Sequence, residues 1–345
     1  MSAYLGPVRT AVITFPFLAL LLALPFLVVV YRRYGAFSWW RAIVIYSFVF
    51  YLLSAYFLII LPLPAREAVA QFTGAKYNLT PLMALRYFIH TTVFVPSNPH
   101  TWLAALKQSS FIQPFFNIVL TIPFGFYLRY YFKRSVPQII VMSFGLSLFF
   151  ELTQLSGLYG FYPRPYRLFD VDDLILNTTG GLVGGVLAPI LMRALPSRDT
   201  IDAKSQARGA RVTFARRLAA FLVDFVLFSQ IVGLMIKFLF HLLGLDQLPD
   251  FLSEAVLPLF FVFVIWPAFN NGQTLGKGLV RIKIVRTDGQ AVGFWRLLLR
   301  EGLLYGLAFS SLVGLNNFFI AYFAKFQRTP VSYTHLRAHE TGAYL

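Results

Sequence analysis

Long apolar runs recur along this chain, each close to the roughly 20 residues that an α-helix needs to cross a bilayer. Eight such spans are read at residues 12–30, 43–61, 112–131, 138–157, 174–194, 218–241, 255–270 and 302–323. In hydrocarbon every backbone amide must be satisfied within its own segment, so the spans are expected to be helices. The expected fold class is all-α: a polytopic membrane helix bundle of about eight transmembrane helices, grouped five and three. Composition agrees, because only 13% of the residues are charged where soluble domains carry roughly 25%.

The stretch 79–105 is apolar but interrupted by Arg86, His90, Pro96 and Pro99, and reads as an interfacial segment. The first span lacks a small-residue cleavage motif and is expected to be a retained helix rather than a removed signal peptide. There is no cysteine, which excludes disulfides, thiolate metal sites and cysteine nucleophiles.

Nineteen of the thirty basic residues fall in one set of loops, at Arg32–Arg41, Arg129–Arg134, Arg193–Arg217 and Lys277–Arg300, and nine in the opposite set. The richer side is expected to be cytoplasmic. The net charge of +16 is then mainly a topological signal, with contact to anionic lipid head groups as a second use. Nucleic-acid binding does not fit this distribution. The expected location is the bacterial cytoplasmic (inner) membrane, multi-pass.

Against this background residues 151–185 stand out. They carry Glu151, Gln154, Arg164, Arg167, Asp170, Asp172, Asp173 and Asn177, hence four of the fourteen acids in the chain. A charge near a bilayer core costs several kcal/mol unless paired or hydrated, which makes such residues functional candidates. Glu151 and Gln154 share a helix face, and Asp172 and Asp173 stand at the start of the fifth span, at the positive end of its dipole. Asn117, near the end of the third span, is expected to join them. Loop-charge counting puts the cluster at the extracytoplasmic face. Gly180, Gly181, Gly184 and Gly185 form two overlapping small-xxx-small patterns that let another helix approach closely. The fourth span is the expected partner, with Glu151 and Gln154 opposite Asn177. The alternative is that these groups only join and cap helices. Hard-cation binding by the acids is weaker than their pairing with Arg164 and Arg167, so no metal is expected.

These residues resemble a known family. Glu151-x-x-Gln154, Arg167-x-x-Asp170-x-Asp172-Asp173, Asn177, Gly180-Gly181 and Gly184, with Asn117 and Pro123-Phe-Gly125 upstream, look like the signature of VanZ-like proteins, over roughly residues 12–194. The resemblance implies a bacterial envelope protein linked to resistance to glycopeptide antibiotics such as teicoplanin. It supplies no mechanism.

Residues 195–210 read as a polar cytoplasmic linker between a domain at 1–194 and a three-helix domain at 211–330. In the latter, Arg217 and Asp224 open the sixth span, and Gly272-x-Thr274-x-Gly276-Lys277 closes the seventh. Val280, Ile282 and Ile284 alternate with basic residues ahead of Asp288-Gly289, which predicts a small cytoplasmic β-hairpin near 280–293. Glu301 precedes the eighth span. Over roughly 208–328 these elements resemble the RDD family, three-helix membrane modules proposed in some cases to move ions or small solutes. Gly272-x-x-x-Gly276-Lys277 lacks the spacing and the hydroxyl of a phosphate loop. Residues 331–345 continue no periodicity and resemble translated sequencing-adapter read-through, so no native role is expected for them.

Three functions are compatible with this reading, none requiring a cofactor. One is an accessory envelope protein that binds lipid-linked cell-wall material or glycopeptide through the 117–177 cluster. The second is a transporter in which Asp224 and Glu301 couple ions. The third is a membrane-embedded enzyme with Glu151 as acid or base, since a carboxyl group in an apolar setting suits proton transfer. No serine, cysteine or histidine partner accompanies it. Membrane lipids are the expected partners; oligomeric state is not legible.

Overall fold

The computed structural model describes residues 2–209, 211–244, 249, 252–285, 290, 292–301 and 303. The eighth span beyond residue 303, the Asp288-Gly289 turn and the tail 331–345 lie outside the described residues. Among the described residues, six helices are long and apolar enough to cross a membrane: Leu5–Tyr34, Trp39–Ile60, Ser109–Tyr130, Val136–Leu155, Val171–Met192 and Phe214–Leu242. The chain is a multi-pass helical membrane protein. The seventh expected span is a shorter apolar helix, Leu257–Phe269. Its prolines Pro258 and Pro267 remove amide donors, and each follows a π-turn, at Leu252–Val256 and at Phe261–Ile265.

The chain divides into two compact units, one formed by 1–19 with 39–201 and the other by 20–38 with 202–345. The helix α1 (Ser2–Tyr34) contributes to both.

The first unit continues through α2 (Trp39–Ile60), the short α3 (Arg66–Ala70), strand β1 (Tyr77–Asn78), α4 (Met83–Thr91), α5 (His100–Leu106), α6 (Ser109–Tyr130), α7 (Val136–Leu155), strand β2 (Phe169–Asp170) and α8 (Val171–Met192). The expected interfacial segment is thus two short helices, with Leu85, Tyr87, Ile89 and Leu103 exposed. The strands pair in parallel, Tyr77 with Phe169 and Asn78 with Asp170. This tie brings the chain ahead of α4 to the start of α8.

The glycines explain why α6, α7 and α8 pack so closely. A Cβ on Gly180 would lie 2.1 Å from the Ile118 carbonyl, and one on Gly184 would lie 1.9 Å from that of Ile122, both in α6. On Gly181 it would meet the Ser143 hydroxyl at 2.0 Å, and on Gly185 the Ile139 side chain at 2.7 Å, both in α7. One residue turns a helix by about 100°, so two patterns offset by one residue present small faces to two neighbours. The fourth span is a partner as expected, through Gly181 and Gly185, and the third span is a second one, through Gly180 and Gly184. Gly125 of α6 returns the favour, since a Cβ there would sit 1.8 Å from the Gly181 carbonyl.

Aromatic residues seal α2 against this trio. Phe48, Tyr51 and Leu52 pack on Phe124, Leu128 and Ile139, and the Tyr51 hydroxyl donates to the Leu120 carbonyl at 2.8 Å. Tyr130 takes the Trp40 indole N–H at 2.7 Å and donates to the Pro196 carbonyl at 2.8 Å. Tyr130 is thus part of the packing, whereas Trp39 and Trp102 are exposed.

The linker forms helix α9 (Arg198–Gly209), of which residues 202–209 belong to the second unit. It is followed by α10 (Phe214–Leu242), which carries a π-turn at Asp224–Phe228. Then come α11 (Leu257–Phe269) and the short α12 (Leu275–Leu279). Tyr31, Ala219, Ala220, Val280 and Ile282 form one core cluster. Among the described residues 282–285, Ile284 bonds through its amide to the Gly272 carbonyl at 3.2 Å.

Candidate functional site

Helices α7 and α8 run antiparallel, and their facing residues advance in steps of four. Ile139 lies against Gly185 and Ser143 against Gly181. Next, Ser147 accepts from the Asn177 amide at 3.0 Å and donates to the Asp173 carbonyl at 3.1 Å. One turn further Glu151, 2% exposed, accepts the Asp170 backbone N–H at 2.9 Å. Glu151 therefore faces the first residues of α8, and Asn177 faces Ser147. The expected pairing of Glu151 and Gln154 with Asn177 is corrected, because antiparallel packing moves each step toward the α7 end back toward the α8 start. Gln154 leaves the cluster and donates to the Ile59 carbonyl at 3.3 Å.

Each acid has a distinct task. Asp170 caps α8 by accepting from the Asp172 amide at 2.9 Å and also holds the Asn78 amide at 3.1 Å. Asp172 is buried, and its two oxygens accept from the Leu82 and Ala84 amides at 2.5 and 2.7 Å. It thereby satisfies orphan donors at the start of α4. Asp173 is half-buried and takes the Asn117 amide at 2.5 Å. On the same two helices, Thr121 donates to the Asn177 carbonyl at 2.7 Å. The Asn177 side-chain oxygen is buried and has no hydrogen-bond partner among the described residues.

The arginines do not pair with these acids as expected. Arg164 donates to the Gly74 carbonyl at 2.7 Å, and Arg167 to the carbonyls of Ile59 and Leu61 at 2.7 and 3.4 Å. Arg167 thus meets carbonyls at the end of α2 and just after it, and Arg164 meets one between α3 and β1.

In the second unit Arg217 is exposed and its neighbour turns inward. The buried arginine is Arg216, which donates to the carbonyls of Gly35, Gly209, Val280 and Arg281 at 2.9–3.2 Å. Asp224, fully buried, accepts from the Thr274 hydroxyl at 2.5 Å and the Gly276 amide at 2.6 Å. A Cβ on Gly276 would lie 2.3 Å from the Ala220 carbonyl, so glycine is required there. Gly272 adopts a left-handed φ of +77° at the turn into α12. Lys277 pairs with buried Glu301 at 3.5 Å, and Arg300 also contacts Glu301.

The VanZ/LLP1 family model matches residues 48–192, and the RDD family model matches residues 211–331. The chain joins a VanZ-like domain to an RDD-family domain. No curated protein and no solved structure matches it.

The VanZ-like match begins inside α2, later than the extent of 12–194 expected from the sequence, so α1 lies outside it. Every acid of the cluster falls within the VanZ-like region, and Arg216, Asp224, Lys277 and Glu301 fall within the RDD region. Among the described residues no three histidine or acidic side chains converge as a metal site requires. Residues not singled out in the sequence complete both arrangements: Ser147, Thr121 and Asn78 in the first, Arg216 in the second. A signal existed for two of them. Ser143, Ser147 and Glu151 recur every fourth residue in an apolar helix, and Arg216 shares the spacing of Ala219, Ala220 and Val223.

Burial lowers the tendency of Lys277 to hold its proton below the ordinary lysine range, while the neighbouring Glu301 opposes that shift.

Proposed function

We propose that the VanZ-like domain is an envelope-facing binding module that holds the polar part of lipid-linked cell-wall material, or of a teicoplanin-type glycopeptide, at Asp173 and Asn117. The observation that carries this reading is the division of labour among the acids. Asp172 spends both oxygens on backbone amides, Glu151 accepts the Asp170 amide, and Asp170 caps α8 while holding Asn78, whereas half-buried Asp173 is held by a side-chain amide from another membrane-spanning helix. A carboxylate beside an amide suits amine and hydroxyl donors. The extracytoplasmic placement rests on the loop charges, and glycopeptide resistance on the family likeness.

The test is teicoplanin susceptibility of cells expressing Asp173→Asn or Asn117→Ala at parental membrane levels. Loss of tolerance supports the reading; unchanged tolerance in both variants refutes it.

A second reading rests on the RDD domain, where Asp224 sits at a π-turn beside the Lys277–Glu301 pair. Buried carboxylates beside a non-α turn within a span fit ion-coupled transport. Asp224→Asn should then abolish proton- or sodium-linked flux in vesicles that the parent protein supports.

A further inference from the structure

We propose that the cleft between α4, α6 and α8 seats one acyl chain of a membrane phospholipid. The cleft has a volume of about 310 Å³ and is walled by Leu85, Phe88, Phe111, Phe115, Ile118 and Leu176. Only Ser110 and Asp172 bring polar groups to its lining, and both Asp172 oxygens are already occupied by the Leu82 and Ala84 amides.

Water is a poor occupant for such a space, because an ordered water needs two to four polar partners. An empty space is equally unfavourable, since the lining atoms would lose their dispersion contacts. Two of the walls, α6 and α8, are membrane spans. The lining side chains Leu85, Phe115 and Ile175 are exposed at 51%, 47% and 38%. The cleft therefore continues onto the apolar surface that faces lipid. Hydrocarbon supplied by the bilayer fits its chemistry and its access. A chain in this position bears on Leu85 and Phe88, so it steadies α4 beside the Asp172 cap.

The experiment uses the full-length protein in vesicles of phosphatidylethanolamine and phosphatidylglycerol, with a trace of phosphatidylglycerol bearing a diazirine on one acyl chain. After illumination, label is expected on peptides covering residues 82–88 and 111–118 at a level severalfold above that on the lipid-facing residues 12–21 of α1. Leu85→Trp fills the cleft from the exposed α4 side, and Leu176→Trp fills it from α8. Each should cut cleft labelling severalfold while α1 labelling stays constant, which also reports that the bundle is intact. Cleft labelling no higher than on α1 would overturn the proposal. So would labelling unchanged by Leu85→Trp, or displacement of the label by an equimolar polyprenyl phosphate, which would assign the cleft to an isoprenoid chain. The polar-head reading is judged separately, because Asp173→Asn is expected to leave this labelling unchanged.

Discussion

The Asn117 amide meets the Asp173 carboxylate at 2.5 Å, tying α6 to α8 beside the polar ladder that joins α7 to α8. Interhelical hydrogen bonds within membranes contribute roughly 0.6 kcal/mol on average and seldom above about 1.7 kcal/mol. Asn117→Ala should therefore lower stability by about 1 kcal/mol and leave the protein folded. A thermal-unfolding series in detergent measures this, and a loss of folded protein would show that the pair is a structural keystone rather than a recognition pair.

The glycine packing makes a sharper claim. Gly184→Ala places a methyl group 1.9 Å from the Ile122 carbonyl, where backbone must move to admit it. Overpacking of this kind costs about 1–3 kcal/mol, sometimes more. Gly145 is the internal control, since a Cβ there meets nothing within 4 Å, and alanine in a helix interior is favoured over glycine by roughly 0.5–1 kcal/mol. Unfolding midpoints should fall for Gly184→Ala and hold or rise for Gly145→Ala. Equal effects would contradict the packing described.

Asp172 should act on α4 alone. Asp172→Ala strands the Leu82 and Ala84 amides, at a cost of about 1–3 kcal/mol if they stay buried, and the segment avoids that cost by detaching. Hydrogen exchange should quicken over residues 82–91 and stay slow in α7 and α8. Uniform protection across the protein would mean the cap is dispensable.

Much of this was legible in the sequence, and the misses have physical causes. The spans were readable because hydrocarbon demands uninterrupted apolar length. Asp173, Asn117 and Glu151 were readable because polar groups are expensive there. The destination of Asp172 was not, because its amide partners lie 88–90 residues away in an irregular segment. Arg164 and Arg167 looked like partners for the acids, but sequence proximity does not reveal the free carbonyls at the end of α2. The choice between Arg216 and Arg217 depends on the rotation of α10 by one residue, and only the buried face at Ala219, Ala220 and Val223 decides it.

Arg216 receives three helix C-termini: Gly35 after α1, Gly209 at the end of α9, and Val280 with Arg281 after α12. Carbonyls at helix ends carry partial negative charge, which a cation offsets. Lysine keeps that charge but cannot spread four bonds from a planar fork. Arg216→Lys should cost about 2–3 kcal/mol, while exposed Arg217→Lys should change stability little. Indistinguishable unfolding curves for the two variants would refute this account.

Lys277 makes the titration of the RDD domain testable. Burial disfavours its ammonium form, and Glu301 and Asp224 oppose that shift. The folded chain thus holds this proton less tightly than the unfolded chain, where lysine titrates near 10.4. The Lys277 contribution therefore favours unfolding at neutral pH and fades as pH rises toward about 10.4. Amine-reactive labelling reads the neutral form directly, and its midpoint for Lys277 should fall below about 10.4. Burial slows the absolute rate, so the midpoint is the informative quantity. Glu301→Gln removes an opposing charge, and the midpoint should drop further. A midpoint that rises in Glu301→Gln would show that Glu301 does not stabilise the Lys277 charge.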